Sequence, residues 1–546
     1  MNFNNSLFAF IKIVVILITI SLISSCSSKS NTNTFSVFKN TIPSKEKMNT
    51  NGSLIMTLAG DPTYFNPILY TDSESGSVVG LLFNGLIKVN EDLAIVPDLA
   101  EKWETKNNGK EWIFHLKKGV LFHDGIELTA DDVVYTFQKI LDTTTNTVRR
   151  SDYVINGKPI AFKKIDKYTV RCVLPETFAP FLLSMGMGII PKHLLEKENI
   201  NTADFNRNPI GTGPFKFKTY KTADNVLLVR NDTYFGRKPL LAKIYFKIIS
   251  EANVRLIALR KGEIDYATVP PKDFEKIKAE NKVNVFVYDQ LAYTYLGYNY
   301  RKPPFSDVRV RQAIAYAVDK RWLIKSIMKD LATPVYSPSH PLLWSHNDNV
   351  NKFLYSPEKA KQLLSQAGWK LSNGILKKDG KPFVFDIYMS KGSTTAEKAA
   401  TKIQQDLKKM GITMNLRVLE WSSLLKIINA PKDPKGYDAV MMAWSLGLDP
   451  DSYGIWHSSE YPKGFNHNGY KNKEVDKLLV KGRQVIDQAA RKKVYARIYD
   501  LIAQDQPYLF LWSPKDVAGV SRRVGGLSKP GPAGLFVNIE DVFVTK

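Results

Sequence analysis

The chain has 546 residues, 44% of them hydrophobic and 24% charged, with a formal net charge of +23. That length is too great for a single core, so two or more domains are expected, and the composition excludes a disordered chain. The basic excess raises nucleic acid as a partner. No dense basic run or aromatic–basic motif accompanies it, so the charge reads as lysine and arginine on solvated faces and no nucleic-acid partner is expected.

In chain order, Lys12 precedes a predominantly apolar run from Ile13 to Ile23. The run has the length of a secretory signal and is too short to span a bilayer comfortably. Ile23-Ser24-Ser25-Cys26 follows and resembles a bacterial lipobox. That resemblance implies a lipoprotein signal peptide over residues 1–25 and a lipid on Cys26 that anchors an exported protein to a membrane. Residues 26–52 are rich in Ser, Asn, Thr and Lys and are expected to form a flexible tether. One other cysteine remains, Cys172, in the alternating run Tyr168–Leu174, where a buried structural thiol is expected.

Ser53–Leu58 reads as a short apolar strand that empties into a loop, Gly60 to Pro67. From Val96 to Phe137 the sequence reads as strand, turn, short strand, tight turn and capped helix. Trp112, Phe114 and Leu116 alternate with polar positions, and Val120-Leu121-Phe122 resumes the run. Asp124-Gly125 marks a turn, and Thr129 precedes Asp132 by three residues, as a capping box requires. Further on, Ile210-Gly-Thr-Gly-Pro-Phe215 is a turn before a strand, and Ala258–Asp265 is a helix end at Gly262. Tyr298–Ala313 is a proline-rich connector into a helix starting near Asp307. Ser356–Trp369 is a helix with Pro357 in its first turn and Gly368 past its end.

The wording of these segments resembles the family 5 extracellular solute-binding proteins of ABC importers, which include oligopeptide- and dipeptide-binding proteins. The resemblance covers nearly all of Leu54 to Phe543. It implies an α/β fold of the two-lobe, type II periplasmic-binding-protein kind, with an extra α+β subdomain inserted in the N-terminal lobe. The expected division is 53–76, 175–288 and 505–546 for lobe I, 77–174 for the insertion and 289–504 for lobe II. Gly297, Pro303 and Pro507 are candidate hinge points. The implied activity is capture of a peptide or other small solute, without a cofactor, by a monomer that hands it to an ABC permease and its ATPase subunits.

Candidate ligand residues follow from the same resemblance. Related proteins place a tryptophan in the cleft wall where Trp421 and Trp444 stand. Ser445, Leu446, Gly447, Asp449 and Asp451 then form the loop after an apolar strand, and Asp61, Pro62, Thr63, Tyr64, Tyr298 and Asn299 supply facing walls. One departure matters. Peptide binders carry an aspartate for the ligand's α-ammonium three residues after the second tryptophan, and here that position is Gly447. A basic residue of some oligopeptide binders is replaced by Met441. Asp449 or Asp451 could substitute for the lost carboxylate, or the ligand has no free amine there. Alternatives are a nickel chelate, haem, an oligosaccharide or another small solute, with His457 and His467 near the loop, or an envelope chaperone or interaction protein. No His-Glu-x-x-His, Gly-x-Ser-x-Gly or Cys-x-x-Cys motif points to an enzyme. His115 and His123 read as strand or surface residues and no metal site is expected.

Overall fold

The computed structural model describes residues 35–38 and 43–546; the expected signal peptide and Cys26 lie outside them. The stretch 96–137 folds largely as patterned. Strands Ala100–Lys106 and Glu111–Leu116 pair antiparallel, and Thr129 opens the helix Ala130–Leu141 with a reciprocal capping box in which its N–H donates to Asp132 Oδ2 at 2.9 Å. Gly125 takes φ +93°, the left-handed region its turn demands. Val120–Phe122 is the exception. Caught between two glycine turns, it has room for one isolated bridge, Leu121 to Glu127, and no strand. The helix packs on a four-stranded sheet ordered 100–106, 111–116, 169–173, 161–166. Cys172 is fully buried in it and its thiol is pushed up by that burial.

A second small sheet orders 215–221, 225–230, 243–248 and 53–58, the last pair parallel. The largest sheet runs 35–38, 283–289, 508–521, 292–298, 439–445, 384–390, 413–419. Its 14-residue strand Tyr508–Ser521 serves two neighbours in succession. Tyr508–Trp512 pairs with 294–297, whereas Lys515–Ser521 pairs with 283–289. Pro514, which has no N–H to donate, sits at the changeover. One core, from Leu54 to Phe246 with Ala518 to Val544, lies on one side; another, from Leu296 to Trp512, lies on the other. The chain therefore passes between two halves at Gln290–Leu291 and at Pro514, each a little after the expected boundary. Gly297 is a packing glycine within a strand. A Cβ there would lie 2.7 Å from Asn468 Nδ2 and 3.1 Å from Tyr508 Cε1.

Part of the expected tether is tied down. Residues 35–38 add antiparallel to 285–288, and Met48 bridges Thr545, so neither segment hangs free of the body.

Candidate functional site

A cleft separates the two halves. On one side lie a cavity of about 940 Å³ and one of about 480 Å³, sharing Thr147, Val148, Arg150, Lys463 and Gly464. On the other lie cavities of about 470 and 910 Å³, sharing Val89, Leu183, Leu291, Leu446, Pro532 and Ala533. Between the pairs the halves touch. Arg483 Nη1 donates to Ser151 O at 2.8 Å, and Ala179 N donates to Arg483 O at 2.7 Å. Further contacts close the rim. Asn429 Nδ2 donates to Thr71 Oγ1 at 3.1 Å, Ala252 N to Gly392 O at 3.0 Å, and Gly60 lies flat against Trp421.

The two ends carry opposite charge. The first is lined by Arg150, Arg207, Lys426, Lys463 and Arg483 against two carboxyls, Asp61 and Glu460, and the first four are not ion-paired with a carboxylate among the described residues. Arg150 and Arg207 spend their donors on backbone carbonyls, Arg150 on Thr145 O at 2.8 Å and Arg207 on Pro62 O at 3.0 Å. The second is lined by Asp98, Asp152, Asp449, Asp451, Asp516 and Glu540, with Lys88 as the one basic residue of its two cavities among the described residues. Burial raises the carboxyls of Asp98, Asp449 and Asp516 above the usual range.

The expected residues divide three ways. Asp61, Pro62, Thr63 and Tyr64 line the 940 Å³ cavity. Their loop is braced from behind: Asp61 Oδ1 accepts from Tyr220 Oη at 2.8 Å and Ala223 N at 2.9 Å, while Thr63 Oγ1 donates to Asp72, the cap of the helix Ser73–Leu82. Ser445 and Leu446 line the 910 Å³ cavity, and Gly447, Asp449 and Asp451 the 470 Å³ one. The loop is fed by the strand Ala439–Ser445, which lies in the middle of the large sheet.

Trp421 and Trp444 sit behind these surfaces. Trp421 packs on Gly60 across the cleft. Trp444 stacks on Tyr295 and His467, meets Phe465 edge-on, and donates from Nε1 to Tyr508 Oη at 3.3 Å. Neither is part of the four cavity walls.

Tyr298 and Asn299 are not cleft residues. Both are fully buried. Tyr298 stacks on Phe305, and Asn299 Nδ2 donates to Lys435 O at 3.2 Å and Tyr437 O at 2.8 Å, holding the connector that follows. Asp449 and Asp451 are also committed elsewhere. Arg491 clasps Asp449 in a bidentate pair at 2.5 and 2.6 Å, and Arg483 Nε meets both oxygens of Asp451 at 2.9 and 3.1 Å. Neither carboxylate is free to replace the one missing at Gly447. His467 is buried among aromatics and held neutral, its imidazole pushed down to about 3 by burial.

Sequence reasoning missed the residues that charge the cleft. Asp516 had a signal: Lys515-Asp516 is a charged pair inside an otherwise apolar strand. Asp98, Glu540, Arg150 and Arg207 had none, since they converge from distant segments.

The comparisons agree with this architecture. Residues 94–465 match bacterial extracellular solute-binding proteins, family 5 (middle). The oligopeptide-binding protein AppA of Bacillus subtilis is 35% identical over 98% of this chain and 99% of its own. The solved structure of the Bacillus subtilis oligopeptide-binding protein AppA in complex with a nonapeptide aligns with a TM-score of 0.87 at 36% identity, covering 92% of this chain and all of that one (100%). An ABC transporter-associated periplasmic binding protein, DppA from Helicobacter pylori, in complex with the peptide STSA, aligns at 0.80 and 28% identity over 91% and 98%.

Proposed function

We propose a function from one premise: the chain belongs to the bacterial extracellular solute-binding proteins, family 5. It captures peptides between its two lobes and delivers them to the permease of an ABC importer, whose ATPase subunits supply the energy. The observation that carries peptide as the cargo is the polarity of the cleft. Arg150, Arg207, Lys426 and Lys463, not ion-paired among the described residues, outnumber Asp61 and Glu460 at one end, and buried carboxylates line the other. A peptide is a zwitterion with its charges at opposite ends, and its backbone and side chains suit cavities of several hundred Å³. Relatives described as binding oligopeptides support the same cargo.

Binding works through differential contact. A ligand touching both lobes stabilises the closed arrangement over the open one by its contacts with the second wall. Gly60 against Trp421 and Arg483 against Ser151 are where the lobes meet in that arrangement. The lobe division is 53–76, 175–288 and 514–546 against 290–513, with 77–174 as an insertion in the first. The protein acts as a monomer, held to its membrane by a lipid on Cys26 after loss of residues 1–25, and performs no catalysis.

The test is small-angle scattering of the mature protein titrated with a digest-derived peptide pool. A fall in the radius of gyration with saturable binding is expected. No compaction with peptides, alongside compaction with a metal chelate or sugar pool, refutes peptide as the cargo.

A further inference from the structure

The 910 Å³ cavity holds three carboxylates, none of them ion-paired with a lysine or arginine among the described residues. Asp516 is 4% exposed; its Oδ2 accepts from Tyr288 Oη at 2.7 Å and Tyr266 Oη at 3.3 Å, while Oδ1, with the Gln290 and Thr268 side chains near the carboxyl, makes no hydrogen bond of good geometry among the described residues. Glu540 is 8% exposed, and its carboxylate makes no hydrogen bond or ion pair among the described residues. Asp98, 4% exposed, is held by Asn84 Nδ2 at 2.9 Å and lies close enough to Glu540 for the two charges to repel. The only basic residue in this wall among the described residues is the exposed Lys88. Asp98 feels Lys88 and Lys117 at a distance, whereas in a chain with a net charge of +23 leaving Asp516 and Glu540 buried with no lysine or arginine beside them is costly unless a cation from outside completes them.

The chemistry of that cation is constrained. The carboxylates are too dispersed for an ion: among the described residues no group of three or more His, Cys, Asp or Glu could hold a metal. Tyr234, Tyr266, Tyr288 and Phe536 line the same cavity and offer ring faces. A polyatomic organic cation with several N–H donors fits both features.

We propose that this cavity is a cation subsite of the cleft. It receives an ammonium or guanidinium group of the cargo and takes the place of the carboxylate absent at Gly447. The proposal rests on peptide capture as inferred above. The cation can come from the peptide's amino terminus or from a lysine or arginine side chain.

The experiment uses synthetic pools of short peptides in four forms: amino terminus free or acetylated, each with or without lysine and arginine. Calorimetry measures their affinity for the mature wild-type protein, Asp516→Asn and Glu540→Gln, with circular dichroism and melting to confirm each fold. Wild type is expected to bind a cation-bearing pool at least about tenfold tighter than the acetylated, lysine- and arginine-free pool. The preferred pool identifies the source of the cation. Each variant is expected to cut that preference below about threefold, and Glu540→Gln keeps the test intact if Asp516→Asn does not fold. An unchanged preference in the folded variants, or no preference in wild type, overturns the subsite while leaving peptide capture standing. Failure of every pool to bind wild type overturns both.

Discussion

Arg483→Met should open the cleft, and the size of the effect follows from the contacts. Arg483 is nearly buried and belongs to the second half, where its Nε pairs with Asp451. Two polar side-chain contacts cross to the first half, Nη1 to Ser151 O at 2.8 Å and Nη2 to Asp152 at 3.7 Å, and the guanidinium also lies over the Phe178 ring at 5.3 Å. A hydrogen bond from a charged donor contributes about 1.5 to 3 kcal/mol. Asp152 is 43% exposed at its side chain, so its attraction adds at most about 1 kcal/mol. The two polar contacts together contribute about 1.5 to 4 kcal/mol to closure, a shift of roughly 10-fold to 1000-fold in the open–closed equilibrium. Methionine keeps a stem against Phe178 and Tyr453 and removes the charge. It also orphans Asp451, which lowers overall stability by about 3 to 5 kcal/mol in either state, so melting must be followed alongside. The assay is peptide-pool titration by scattering and calorimetry. Half-saturation should rise by the stated factor, with Asp152→Asn giving a smaller rise. A folded Arg483→Met protein whose half-saturation moves by less than about threefold refutes the latch.

Four further outcomes are expected. A Cβ at Gly60 would already lie 2.9 Å from Trp421 Cβ, so the larger Gly60→Val should weaken closure by about 1 to 3 kcal/mol; unchanged peptide affinity would contradict it. Gly447→Asp meets nothing nearer than Asp449 O at 3.9 Å, and affinity for peptides with a free amino terminus should rise about fivefold over acetylated ones; calorimetry decides. His123 is neutral in the fold, donating to Gly213 O and accepting from Gly211 N, and burial pushes it down to about 4 from an ordinary 6.5. Between those pH values the unfolded state binds the extra proton, so this stability, about 3 kcal/mol, is present above pH 6.5 and lost as pH falls toward 4. Denaturant unfolding should show a steeper acid loss in wild type than in His123→Gln; parallel curves would refute it. Cys26→Ser should move the protein from the membrane to the soluble fraction, and unaltered fractionation would remove the lipid anchor.

Local signals in the sequence were legible wherever a residue acts on its own neighbours. Thr129 with Asp132, Asp307 before its helix and Gly262 past another each make the contact their spacing requires. The strand Ala439–Ser445 was legible from its own apolar run for the same reason. Tyr298 and Asn299 misled because a buried asparagine that ties a connector to Lys435 and Tyr437 looks, in sequence, like one that faces a ligand. Asp449 and Asp451 looked free because their partners Arg491 and Arg483 lie 42 and 32 residues away. The acidic end of the cleft was illegible because Asp98, Asp516 and Glu540 share a cavity without sharing a segment.

Native mass spectrometry of the mature protein, purified without denaturation from cells grown on complex medium, tests peptide capture most directly. A ladder of adducts whose masses, after acid release and sequencing, belong to peptides is the predicted result. Adducts that prove to be haem, a metal chelate or a sugar, with no peptide retained after incubation in a digest, would contradict it.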